Sequence, residues 1–356
     1  MKKNNTVLVS IFIGPYSSIL KFPTKFGIFK YLPTKNKTMK SINYLSVLLL
    51  STCILLCLSC KSEKDNEDKK DLKIEKQEQK DEVIEIVTNV MDFVTKDTVP
   101  SGWNTFKYIN KSNEPHFILF DDYPEDKGAE DAQAEVGPAF DKGMKLINEG
   151  KMEEAMQAFG ELPEWFGEIV FTGGSGLISP GEENTFTLKL RPGNYIIECY
   201  VKMANGVFHT SMGMTKEIWV ENKDSGLKPP NANVNLTISS TEGITYNGDI
   251  KSGKTIFQVD YKDQIVHENF VGHDINLVRL NENANLDNLE AWMNWATPTG
   301  LMTPAPQGIT FMGGTNDAPA GSTQYFEVDL SPGNYAFISE VPNSKAKGML
   351  KTFKVE

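Results

Sequence analysis

From Val83 onward the chain is built of short runs in which apolar and polar residues alternate, each bounded by Gly, Pro, Asn or Asp. Residues 83–87, 105–109, 116–120, 185–190, 195–201 and 217–220 follow this period of two. Successive side chains of a strand point to opposite faces, so these runs predict half-buried antiparallel strands packed as a sandwich. One stretch departs from the rhythm. Over 129–162, Phe140, Met144, Leu146, Ile147, Met152, Ala155, Met156 and Phe159 recur at helical spacing, which predicts two helices split near Asn148-Glu149-Gly150.

The pattern then runs a second time. Gly167-Glu168-Ile169-Val170-Phe171-Thr172-Gly173-Gly174 and Pro192-Gly193-Asn194-Tyr195 return as Gly308-Ile309-Thr310-Phe311-Met312-Gly313-Gly314 and Pro332-Gly333-Asn334-Tyr335. Strands are expected from 234, at 255–259 and 273–280, then a shorter helix at 286–295 and closing strands to 355. A repeat of domain length means a duplicated domain rather than a solenoid, and 356 residues suffice for two cores. The expected boundaries are 83–222 and 233–356, joined by a polar linker over 221–233 that contains Pro229-Pro230. The fold class is mainly β, two tandem sandwiches, each with a helical insertion between the same two strands. That alignment sets His116 opposite His273.

Ahead of the strands stand three segments of different character. Met39-Lys40-Ser41 begins a basic stretch, followed by an apolar run over 45–58 and then Ser59-Cys60-Lys61, the layout of an export signal. The run is short for a membrane span, although an uncleaved hydrophobic anchor is the alternative. The segment resembles a bacterial lipoprotein signal, which implies lipidation of Cys60 as the first mature residue. Cys57 stands where that family usually places Leu. Residues 1–38 then read as an extension upstream of the true start. Residues 61–82 are almost all charged or amidic with no aromatic group, so they read as a disordered tether spanning roughly 25 Å.

Charge narrows the partners. The chain carries a net charge of −11, but residues 1–59 hold eight Lys and no Asp, Glu or Arg, so removing them leaves −19. Such a surface repels nucleic acid, and no basic stripe compensates. The expected partner, through the lipid anchor, is the membrane. The expected location is the cell envelope, on the periplasmic face or the cell surface.

Cysteine use points to chemistry. Cys53 and Cys57 would leave with the signal and Cys60 would carry lipid, which makes Cys199 the one thiol of the exported chain. An unpaired thiol in an oxidising compartment is a liability unless buried or bound to metal. Nine residues separate Cys199 from His209, four separate His209 from Met214, and His116 follows Asn113-Glu114-Pro115. Singly, each has a plainer role: a small buried hydrophobe, a loop histidine, core filler, a strand start.

Jointly these residues resemble the ligand set of the cupredoxins, the blue-copper domains of which plastocyanin is one. The resemblance covers nearly the whole of each repeat and implies Greek-key β-sandwiches with one copper ion in the first. It assigns His116, Cys199 and His209 to the ligand plane and Met214 to the axis, with Met212 as a competitor. Two imidazoles and a thiolate with a weak thioether accept both Cu(II) and Cu(I), so the resemblance implies one-electron transfer with a redox partner protein.

The second repeat keeps His273 and Gly348-Met349 but has Ser339 at the thiolate position and no imidazole in 342–347. His267 stands close to His273 in sequence, and this repeat is expected to be metal-free. Catalysis is not expected. Four His cannot furnish the additional copper cluster of an oxidase, and no Gly-x-Ser-x-Gly, phosphate-loop or His-Glu-x-x-His motif occurs. Two further classes stand beside the electron carrier: a Cu(I) carrier or store using Met144, Met152, Met156, Met203, Met212 and Met214, and a metal-free binding module with Trp292 and Trp295 as contacts.

Overall fold

The computed structural model describes residues 83–356. The 1–38 extension, the 39–60 signal with Cys60 and the 61–82 tether lie outside the described residues. Among those described, no helix is long and apolar enough to cross a membrane.

The first half contains β1 (Ile84–Thr88), β2 (Thr98–Asn110), β3 (His116–Asp122), β4 (Val170–Ile178), β5 (Glu183–Leu190), β6 (Gly193–Glu198) and β7 (Thr215–Asp224). Its helical insertion comprises α1 (Ala129–Asp131), a π turn, α2 (Gly137–Asn148) and α3 (Met152–Phe159). The break falls where the sequence places it, at Gly150, whose φ of 75° suits a residue without a Cβ. The second half contains β8 (Val234–Ser239), β9 (Gly243–Asn247), β10 (Gly253–Tyr261), β11 (Ile275–Leu280), α4 (Leu286–Met293), β12 (Ile309–Thr315), β13 (Thr323–Leu330), β14 (Gly333–Ile338) and β15 (Leu350–Val355). α4 is capped by the Asn285 side chain, which accepts from the Asn288 N–H at 2.9 Å.

Both halves are Greek-key sandwiches with the same pairings. β3 lies between β4 and β6 while β11 lies between β12 and β14, and β2·β5 corresponds to β10·β13. Equivalent aromatic pairs seal the two cores: Phe106 stacks on Phe186 at 5.3 Å and Phe257 on Phe326 at 4.6 Å. Tyr195 and Tyr335, from the two Pro-Gly-Asn-Tyr turns, are fully buried.

The halves are not merely strung together. Equivalent strands β5 and β13 pair antiparallel, with Phe186 opposite Phe326, and β4 meets β12 at Ile178 and Met312. Equivalent residues opposite one another mark a local two-fold relationship. The contacts around it are reciprocal: the Gly174 N–H donates to Gln324 of the second half at 3.1 Å, and Asn184 of the first half donates to the Gly314 carbonyl at 3.4 Å. These double-glycine strands tolerate no side chain, because a Cβ on Gly174 would lie 2.0 Å from the Ile118 carbonyl and one on Gly314 1.9 Å from that of Ile275.

β7 runs four residues into the expected linker, to Asp224. β6 ends earlier than the alternation suggests, at Glu198, so Cys199 stands just beyond the strand and opens the loop that builds the site.

Candidate metal centre

His116 opens β3, a strand buried along its whole length. Cys199 follows β6, which pairs with β3, so sheet registry brings the thiol beside the ring. The chain then turns back on itself. Met203 N–H donates to the Val207 carbonyl at 2.8 Å, Asn205 Oδ1 accepts from the Val207 N–H at 3.1 Å, and Gly206 has a φ of 84°. Asn-Gly chemistry suits such a tight reversal. His209 N–H closes it by donating to the Val201 carbonyl at 2.8 Å. A 3₁₀ turn, Thr210–Met212, and left-handed Gly213 then return Met214 N–H to the His209 carbonyl at 3.0 Å.

The result is a triangle of ligand atoms. Cys199 Sγ lies 3.7 Å from His116 Nδ1 and 3.8 Å from His209 Nδ1, and the two Nδ1 atoms are 3.1 Å apart. The point equidistant from all three lies about 2.1 Å from each, close to the roughly 2.0–2.3 Å of bonds from a first-row metal to imidazole nitrogen and thiolate. The donor set therefore fits a single ion. Among the described residues it is the one group of three or more His, Cys, Asp or Glu side chains whose ligand atoms converge in this way.

The outer ring nitrogens are also held. His116 Nε2 meets Ser112 Oγ at 2.8 Å. His209 Nε2 lies 3.0 Å from Glu114 Oε2, at an angle too poor for a good hydrogen bond, and Thr303 Oγ1 of the second half donates to the other Glu114 oxygen at 3.3 Å. The Ser112 contact fixes the His116 ring and leaves its Nδ1 free to coordinate, while Glu114 sets a carboxylate beside the outer edge of His209. The second half also clamps the ligand loop itself, because the buried Lys202 ammonium donates to the Trp295 and Thr297 carbonyls at 2.9 and 2.7 Å.

Electrostatics favour neutral rings. Burial lowers His116 to about 3, assisted by His209, and lowers His209 to about 4. Burial pushes the Cys199 thiol up to about 12, against backbone donors at Phe117 and Val201 that favour the thiolate. Both imidazoles are ready to bind, and the thiol gives up a proton when it does.

Met214 is fully buried and Met212 is 57% exposed. Met144 belongs to the core and Met152 points to solvent, so the methionines of a soft store are dispersed. Trp292 and Trp295 are core residues too, donating to the carbonyls of Met302 and Asn269.

The second half preserves the frame of this site. Met349 N–H donates to the Ser344 carbonyl as Met214 N–H does to that of His209, so Ser344 stands for His209 and Ser339 for Cys199. Ser339 Oγ instead donates to Asp274 Oδ1 at 2.7 Å. Sequence reasoning missed Ser112, Glu114 and Thr303. Ser112 and Glu114 lie just before His116, but Thr303 carries no local signal, since it reaches Glu114 across 189 residues.

No family model matches the chain, and no curated protein matches it. Among solved structures it is similar to dithionite-reduced auracyanin from Roseiflexus castenholzii, at 23% identity over 39% of this chain and 96% of that one, with a TM-score of 0.23. It is similar to auracyanin A, a blue copper protein of Chloroflexus aurantiacus, at 19% identity over 39% and 98% with a TM-score of 0.23. It is also similar to a blue copper oxidase from Nitrosomonas europaea, at 12% identity over 77% and 85% with a TM-score of 0.19. Strand order, with the helical insertion between equivalent strands, makes both halves cupredoxin-like sandwiches.

Proposed function

We propose that the chain is an extracytoplasmic copper protein, tethered to the membrane through lipid on Cys60, that carries single electrons through one ion in its first half. The observation that carries this reading is the convergence of His116 Nδ1, Cys199 Sγ and His209 Nδ1 in a fully buried pocket. Copper in a thiolate and two-imidazole set supplies a one-electron couple whose two states share a geometry. The protein's part is to keep that geometry fixed. β3 and β6 hold His116 and Cys199 in register, Glu114 and Ser112 orient the rings, and the Phe117 and Val201 N–H groups stabilise charge on sulfur. Met214, buried behind Gly213, is the proposed axial thioether.

The reading is of a carrier rather than a catalyst. The chain has four His, two of them in this site, which leaves too few imidazoles for a multinuclear oxidase cluster. The second half serves the first as a wall, through Thr303 and through the Trp295 and Thr297 carbonyls.

The test is the visible spectrum of the copper-loaded chain. Intense thiolate-to-Cu(II) charge-transfer absorption, lost in Cys199→Ser, is expected. Copper bound without colour would replace electron transfer with Cu(I) carriage. Failure to bind any metal would reduce the chain to an interaction module.

A further inference from the structure

The second half contains a histidine pair of its own. His267 and His273 have side chains 6% and 0% exposed, with ring centroids 5.1 Å apart and planes inclined at 46°. His116 and His209 sit at 4.8 Å and 50°. The two pairs share nearly the same ring spacing and inclination, although His209 has no counterpart at Ser344. A tight turn makes this possible: His267 N–H donates to the Val271 carbonyl at 2.9 Å, and Phe270, at a φ of 66°, donates to the His267 carbonyl at 3.0 Å. Residues six apart are folded back on each other.

The ring nitrogens are divided by role. His273 Nδ1 lies 3.2 Å from the Asp263 carbonyl oxygen and 3.6 Å from its carboxylate, while His267 Nδ1 faces the Glu268 carboxylate at 3.9 Å. The Asp263 carbonyl places the His273 ring proton on Nδ1 and leaves its Nε2 as a bare lone pair. Both Nε2 atoms are buried and neither has a hydrogen-bond partner. Two buried ring nitrogens without partners on adjacent rings are an unfavourable arrangement unless a ligand joins them.

The class of ligand follows from what else is present. No third His, Cys, Asp or Glu converges with the pair, since the one such group among the described residues is the first site. Structural zinc closes a shell of four, whereas Cu(I) is content between two imidazoles. A single charge is also far less costly to bury than a double one, because the cost of transfer rises with the square of the charge. Asp263, Glu268 and Lys347 surround the pair and sum to one negative charge, Lys347 being held by Glu268 at 2.8 Å and by the Pro342 carbonyl at 2.6 Å.

We propose that His267 and His273 form a second metal site that takes one Cu(I) ion through their unpartnered Nε2 atoms. It stands independently of the first site and needs neither Cys199 nor Met214.

The test is an anaerobic Cu(I) titration of the full chain against a chromophoric Cu(I) chelator, comparing wild type with His267→Gln. The expected result is one fewer equivalent bound by the variant, with the first site's visible absorption after oxidation unchanged. Equal uptake by the two proteins would overturn the site. Should His267→Gln not fold, the wild type decides the matter by NMR. The ring signals of His267 and His273 must move as Cu(I) is added, and their standing still through saturation would overturn the proposal.

Discussion

His116 and His209 are 93 residues apart in the chain, yet their Nδ1 atoms face each other at 3.1 Å with Cys199 Sγ completing the triangle. Neither ring is charged at neutral pH, because burial lowers one to about 3 and the other to about 4. Two converging neutral rings beside a buried thiol make a pocket for a cation.

The axial assignment separates Met214 from Met212. Met214→Leu keeps the volume, so stability should fall by no more than about 1.5 kcal/mol. The reduction potential of the copper-loaded protein should rise, because a weak donor to Cu(II) is gone. Met212→Leu should leave the potential unchanged, its side chain being 57% exposed. Voltammetry on both variants checks this.

The hold on His209 passes through Glu114 to Thr303. Removing an outer-shell partner costs on the order of 10–100-fold in metal affinity. Glu114→Ala should fall in that range, and Thr303→Val should weaken binding in the same direction by less. Both variants should melt near wild type without metal. Copper affinity measured by chelator competition is the readout.

The double-glycine strands set the packing of the halves. A methyl group on Gly174 would meet the Ile118 carbonyl at 2.0 Å, and its φ of 150° is one that other residues rarely adopt. Gly174→Ala should therefore destabilise the fold by about 3 kcal/mol or more, measured by denaturant unfolding.

Buried carboxyls make stability depend on pH. Burial raises Asp274 to about 6 and Glu198 to about 7, and raises Asp121, Asp317 and Glu340 well above the carboxylate range. A raised folded-state value means stability present at low pH and lost as pH rises through that value. The lowered His116, His209 and His267 act oppositely, but only below their ordinary 6.5. Buried Lys202, lowered to about 8, begins to add stability only above that value. Between pH 6.5 and 8 the carboxyls act alone, so the metal-free protein should melt lower at pH 8 than at pH 6.5. Glu340→Gln should flatten that slope.

Much of this was legible in the sequence because it is local. Alternation marked the strands, Gly150 the helix break, and His116, Cys199 and His209 the side chains that converge. What escaped depends on distance or on turns. The pairing of Phe186 with Phe326 joins equivalent strands of two repeats, a relation no local pattern encodes. His267 stands close to His273 in the chain, and the turn through Phe270 is what folds the two rings together.

The central claim is a shared ion, and X-ray absorption at the copper edge of the loaded full chain tests it most directly. The account predicts an inner shell at the first site containing one sulfur and two nitrogens, with the sulfur lost in Cys199→Ser. A copper shell of nitrogen and oxygen alone in the wild type, indifferent to Cys199→Ser, would contradict it.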